Sequence, residues 1–210
     1  VLNARHQRGF TLVEAMVVLV IMAALLAAAV PNFGPWIAGM RIRSTAESVL
    51  AGLQYARSEA TTRNTQVRFQ LTSTLDGNCL RSTTGVNWVV DVVDADADAD
   101  SVEGQCDAAP SDTAPSILQV RSSTETGSGT AVSASAATVV FNGLGRQVAP
   151  PSNVLLPSVL SNITIDITPA ESSQCVLNGG KVTCLRVAIS TAGQVRMCNP
   201  ALASGDPQAC

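Results

Sequence analysis

The chain has 210 residues, a formal net charge of −3 and a single histidine, His6. That balance suits a general polyanion binder poorly, and with no histidine beyond position 6 the rest of the chain excludes Ser-His-Asp and Cys-His catalysis. Beyond residue 30 there is length enough for one compact domain with a modest core.

The N-terminus carries Arg5 and Arg8, no acid, and Gly9. Phe10 follows, then Glu14, then an apolar run that stops at Pro31. Glu14 is the only ionisable side chain from Phe10 to Val30. As a helix this stretch spans roughly 30 Å, the thickness of a bilayer's hydrocarbon core. A charge there is costly unless partnered, so an intramembrane Glu is a functional hypothesis by default. An ordinary signal peptide, with Arg5 and Arg8 as its basic region and residues 27–29 as its cleavage site, or a plain anchor are the alternatives. A signal peptide's apolar region should be shorter and free of charge. The positive-inside rule places Arg5 and Arg8 in the cytoplasm and everything after Pro31 outside it.

The register Gly9-Phe10-Thr11-Leu12-Val13-Glu14 resembles the prepilin processing motif of type IV pilins and type II secretion pseudopilins. The resemblance implies that a prepilin peptidase and N-methyltransferase cuts between Gly9 and Phe10 and methylates the new amine. It implies a filament-assembly role for Glu14 and a helix kink at Pro31. The implied partners are other pilin or pseudopilin subunits, met through the N-terminal helix, and an inner-membrane assembly platform. The implied location is the inner membrane, single-pass, with the head in the periplasm, and later a filament. No cofactor is implied.

Past Pro31 and Pro35, which remove helix hydrogen bonds, the helix resumes. Ile42, Ala46, Val49, Leu50, Leu53, Ala56 and Ala60 recur at helical spacing as one apolar stripe. The helix should end near Arg63-Asn64. The expected organisation is a leader 1–9, an assembly helix 10–30, its amphipathic continuation 31–63 and a β-rich head 64–210. Strands are predicted over 66–71, 87–93, 117–121, 138–141, 163–167, 184–189 and 194–197 from alternation and β-branched density. A long N-terminal helix followed by antiparallel strands is an α+β order, with the helix's second half packed on the sheet.

Half of the sixteen acids lie between Asp91 and Asp112, and no base occurs between Arg81 and Arg121. The alternating Asp residues at 94–100 could hold Ca²⁺, but the spacing does not match an EF-hand-like loop. A solvated acidic loop over 91–112 is the expectation. Residues 122–136, rich in Ser, Thr, Gly and Ala, read as a flexible connection.

Six cysteines, Cys79, Cys106, Cys175, Cys184, Cys198 and Cys210, read as disulfides in an exported domain. No CxxC spacing favours a metal instead. A Gly179-Gly180 hairpin turn would set Cys175 opposite Cys184. Cys198 with Cys210 would close the C-terminal tail, and by elimination Cys79 meets Cys106.

Residues 56–60 (Ala-Arg-Ser-Glu-Ala), Phe141-Asn-Gly-Leu-Gly-Arg146, Val187-Ala-Ile-Ser190 and Gly193-Gln-Val-Arg-Met-Cys198 occur in an order that resembles the GspH/FimT (FimU) branch of the pilin superfamily. In that family minor subunits prime assembly or sit at the filament tip. Some FimT-like members are DNA receptors with a GRxR motif, which would direct attention to Arg146, Arg186 and Arg196. Here Gln194 stands where the motif's first Arg belongs. An enzyme is the reading from another class. It has no nucleotide loop, metal spacing or paired carboxylates outside the acidic loop to support it.

Overall fold

A computed structural model describes residues 10–93, 101–122, 129–149, 160–171 and 174–210, without the side chains of 28–32. The element order is α1 (Leu12–Arg63), β1 (Val67–Thr72), β2 (Asn87–Val92), β3 (Ile117–Arg121), β4 (Thr130–Ala134), β5 (Thr138–Phe141), β6 (Gln147–Val148), β7 (Ile163–Pro169), β8 (Leu185–Ile189) and β9 (Val195–Cys198). Two compact units divide at Ile37 and Ala38. The helical assignment of α1 continues through Pro31 and Pro35. A proline costs one backbone bond without having to end a helix. The helix closes at Asn64, whose φ of 49° is left-handed, and the Thr65 N–H donates to the Ala60 carbonyl at 3.2 Å. That is a Schellman-type stop.

In the head, Ile42, Ala46, Val49, Leu53, Ala56 and Ala60 are fully buried, with Leu50 partly so. The helix is thus held by the expected stripe. Gly52 permits the contact to be close. A Cβ there would lie 2.9 Å from the Phe69 ring and 3.0 Å from the Trp88 ring, two rings whose centroids are 5.6 Å apart.

The expectation of a single antiparallel sheet is corrected in one respect: there are two, both antiparallel. A five-stranded sheet runs β3-β2-β1-β5-β6 and a four-stranded sheet runs β4-β7-β8-β9. One core receives α1, the Val67, Phe69, Leu71, Val139 and Phe141 side of the first sheet, and Val132, Ile163, Ile165, Ile167, Val187 and Ile189 of the second. Strand β1 is buried at all six positions. On its other side Arg68 lies opposite Asp91 in register. The guanidinium donates to both carboxylate oxygens, at 3.1 and 2.7 Å. Both side chains are buried.

Three further expectations are corrected. Within 122–136, β4 pairs with β7, placing Val132 against Ile167. Its composition is weakly β-forming, and pairing with an established strand overrides that. The acidic segment is a loop only beyond β2: its described part, 101–112, is made of turns with Asp107 and Asp112 exposed, but it is anchored at several points. Asp91 belongs to β2, Val102 and Cys106 are buried with Val89 and Ile117, Glu103 approaches Arg81 at 3.6 Å, and Asp112 pairs with Arg63 at 2.7 Å. Residues 94–100, with the Ca²⁺ question, lie outside the described residues. Finally, 175–184 is not a two-residue hairpin. A 3₁₀ turn, Val176–Asn178, ends at Gly179 (φ 84°), and Cys175 bridges Val182 in parallel sense.

Candidate functional site

At the start of α1, Thr11 and Glu14 form the sequence half of a capping box, Thr-x-x-Glu. The Glu14 N–H donates to Thr11 Oγ1 at 3.2 Å and the Ala15 N–H to the Thr11 carbonyl at 3.1 Å. The first of these satisfies a donor that a helix start otherwise leaves open. It also fixes Glu14 in the first turn, where the helix dipole favours a negative charge. Glu14 is exposed, and Phe10 is 80% exposed just outside the helix. Gly9 and the bond before Phe10 lie outside the described residues.

Behind Glu14 the helix exposes apolar side chains all round. Leu12, Val13, Leu19, Val20 and Leu25 are each more than 60% exposed. Exposed apolar surface of this extent marks a surface made for lipid or for another chain. Among the described residues no helix is long and apolar enough to cross a membrane. The side chains of 28–32 lie outside that set, and the apolar sequence runs on through Val30.

The remaining sequence-predicted residues lie in the head, apart from Pro31, which sits within α1. The disulfides join Cys79 to Cys106, Cys175 to Cys184 and Cys198 to Cys210, with Cα separations of 6.1, 5.5 and 5.1 Å. The three pairings are the expected ones, although the second forms without the expected hairpin. The first ties the β1–β2 connection to the β2–β3 connection.

Arg186 and Arg196 meet at one recess of about 290 Å³, together with Asn162, Thr164 and Gln194. Neither guanidinium is unengaged. Arg186 donates to both oxygens of Asp166 at 2.7 and 2.9 Å, and those hydrogen bonds raise its pKa above the ordinary guanidinium value. Arg196 donates to the Ala209 and Cys210 carbonyls at 3.3 and 2.8 Å, so the disulfide-closed tail sits on it. Arg146 is not part of the recess lining: it is exposed on the β5–β6 turn, with its backbone against Gly193.

That turn, which the sequence marks only as a turn, is also a node of contacts between the helix and the two sheets. Asn142 Oδ1 accepts the Leu144 and Arg146 N–H groups at 3.0 and 3.1 Å, and Arg57 donates to the Gly145 carbonyl at 3.1 Å. A Cβ on Gly143 would strike Asn64, and one on Gly193 would strike the Gly145 carbonyl. The signal for it was the Asn-Gly-Leu-Gly spacing itself. The buried Arg68–Asp91 pair was unmarked in the sequence. Among the described residues no group of three His, Cys, Asp or Glu side chains is gathered to hold a metal.

Two family descriptions match the chain. The prokaryotic N-terminal methylation motif matches residues 4–30, and the type II transport protein GspH family matches residues 45–193. No relative among curated proteins matches. The chain is similar to the type IV minor pilin FimU of Pseudomonas aeruginosa (strain PAO1) in two crystal forms, at 20% identity in each. In the P21 form the match has a TM-score of 0.48 and covers 80% of this chain and 94% of that one. In the P65 form the TM-score is 0.46, with 80% and 98% covered.

Proposed function

The chain belongs to the GspH family of minor pilins and pseudopilins, and from that premise we propose that it is a filament subunit which primes or caps a type IV pilus or type II secretion pseudopilus. In this reading α1 anchors the chain once in the inner membrane over residues 10–30, with the head in the periplasm. A prepilin peptidase and N-methyltransferase releases residues 1–9, cutting after Gly9 and methylating Phe10. An assembly platform then draws the subunit out of the membrane into contact with other pilin or pseudopilin subunits.

One observation carries the reading: a lone carboxylate in an apolar helix, on a residue whose backbone N–H is capped by the Thr11 hydroxyl in the first turn. An unpartnered charge costs about 3 kcal/mol at the bilayer centre, and Glu14, in the first turn of α1, meets part of that cost. The positive amine of a neighbouring Phe10 is a partner that removes this cost while selecting another subunit. Replacing Glu14 with Val deletes the attraction and leaves the anchor more apolar. The Glu14→Val protein should accumulate in the membrane and be missing from sheared filaments. Incorporation at the wild-type level would overturn the reading.

A second reading, a DNA receptor, draws on the recess that brings Arg186 and Arg196 together. Asp166 compensates one charge, the C-terminal tail occupies the other guanidinium, and Gln194 cannot neutralise a phosphate. Non-specific affinity comes mainly from bases on phosphates, so the footprint is weak. Micromolar, steeply salt-dependent binding that is lost in Arg196→Gln would establish this reading.

A further inference from the structure

Resting on the membrane-anchored reading above, we propose that Phe33, Trp36 and Ile37 form a lipid-interface band that seats α1 at the outer headgroup level of the bilayer.

The argument begins with length. No ionisable residue occurs between Glu14 and Arg41. That stretch of helix measures roughly 39 Å, against roughly 30 Å of hydrocarbon. An apolar run that outlasts the core tilts, kinks or places its excess in the interface. Here the surface changes character where the excess begins. Up to Leu26 the helix exposes aliphatic side chains and Met. Past Pro31 and Asn32 come Phe33, Trp36 and Ile37, which are 54%, 63% and 43% exposed. Their spacing of three and four residues places them on one helix face. A Cβ on Gly34 would meet nothing within 4 Å, so this part of the helix is open around the band.

The distribution of aromatic rings gives the second observation. In the head, Phe69, Trp88 and Phe141 are buried and Tyr55 is partly buried. All the other aromatics in the sequence, Phe10, Phe33 and Trp36, are exposed. They bracket the apolar run, one at its start and two beyond its end. Aromatic rings at both edges of a hydrophobic span are the pattern of an interfacial belt. Indole suits it best, with an apolar body for the acyl side and an N–H for the headgroups. The occupant of this face is therefore the boundary between phospholipid headgroups and acyl chains. The band would set how far the helix projects before assembly begins.

The test uses the full chain in vesicles of phosphatidylcholine and phosphatidylglycerol that carry a quencher at the headgroup, at mid-chain or near the chain end. Trp36→Phe changes an exposed residue and leaves the buried Trp88 in place. Subtracting its emission from that of the wild type therefore isolates Trp36. The expected difference spectrum is shifted to the blue on vesicle binding and is quenched most by the headgroup label. A spectrum quenched most by the chain-end label would put Trp36 in the core and overturn the band. So would shielding from aqueous acrylamide without lipid quenching, which would assign the face to a second protein chain. Chains that float with vesicles while Trp36 stays water-like would overturn the band and leave the anchor standing. Chains that do not float at all would overturn the anchor as well.

Discussion

In its first half, helix α1 leaves Leu12, Val13, Leu19, Val20 and Leu25 in the open; in its second half, Ile42, Ala46, Val49, Leu53, Ala56 and Ala60 are fully buried. Fully burying one such Leu or Val is worth about 1.5–3 kcal/mol. The head collects this gain within one chain. The N-terminal half leaves it uncollected, so its apolar surface has to be covered by lipid or by another subunit. Charge follows the same division. In the head the buried Arg68 faces the buried Asp91, whereas Glu14 in the apolar half is exposed on the helix surface. The head is built to be complete alone, and the N-terminal half is built to be completed by something else.

This contrast breaks most visibly at Asp91. Asp91→Ala leaves Arg68 charged and buried, a loss of about 3–5 kcal/mol. Chemical denaturation of the head should show a loss of that size. A change below about 1 kcal/mol would mean that the pair is dispensable. The disulfides come next. A cross-link that closes a longer loop restrains the unfolded chain more, and losing one costs about 2–5 kcal/mol. The Cys79–Cys106 bridge spans 27 residues and the Cys175–Cys184 bridge spans 9. Thermal melts should therefore rank Cys106→Ser below Cys184→Ser. A peptide map under non-reducing conditions should find neither thiol free in the wild type. Gly52→Ala follows. The added methyl improves helix propensity by about 1 kcal/mol, but it meets two aromatic rings at 3.0 Å or less. Overpacking of this kind costs about 1–3 kcal/mol, so a net destabilisation near 1 kcal/mol is expected; a stabilised variant would show that the helix can back away. The smallest effect sharpens the contrast from the other side. Glu14→Val should leave the melting of the head within about 0.5 kcal/mol of wild type, while abolishing incorporation into filaments. A head destabilised by that change would show that the two halves are not independent.

Much of this arrangement is legible in the sequence. Of the three cysteine pairs, Cys79–Cys106 follows only by elimination from the other two; the helical stripe and seven of the strands are read from spacing. Strand β4 is not, because Thr-Ala-Val-Ser-Ala offers one large apolar side chain and depends on β7 for its pairing. The two-residue β6 is too short to show a period. The order around Val102 comes from the Cys79–Cys106 bridge and a small buried cluster, a tertiary effect invisible in a charged, low-complexity stretch. Cys175 and Cys184 were paired for a hairpin that does not form, since loop closure needs only proximity and a 3₁₀ turn also supplies it. At the assembly site, the Gly9-Phe10-Glu14 register stands out because a carboxylate in an apolar run is improbable without a purpose. The Thr11 cap was readable in the same residues as Thr-x-x-Glu.

The most direct measurement is the mass of the N-terminal peptide of the protein extracted from membranes. The account predicts a chain that begins at a methylated Phe10. A chain that begins near Val30 would make the apolar run an ordinary signal peptide, and the assembly role of Glu14 would fall with it.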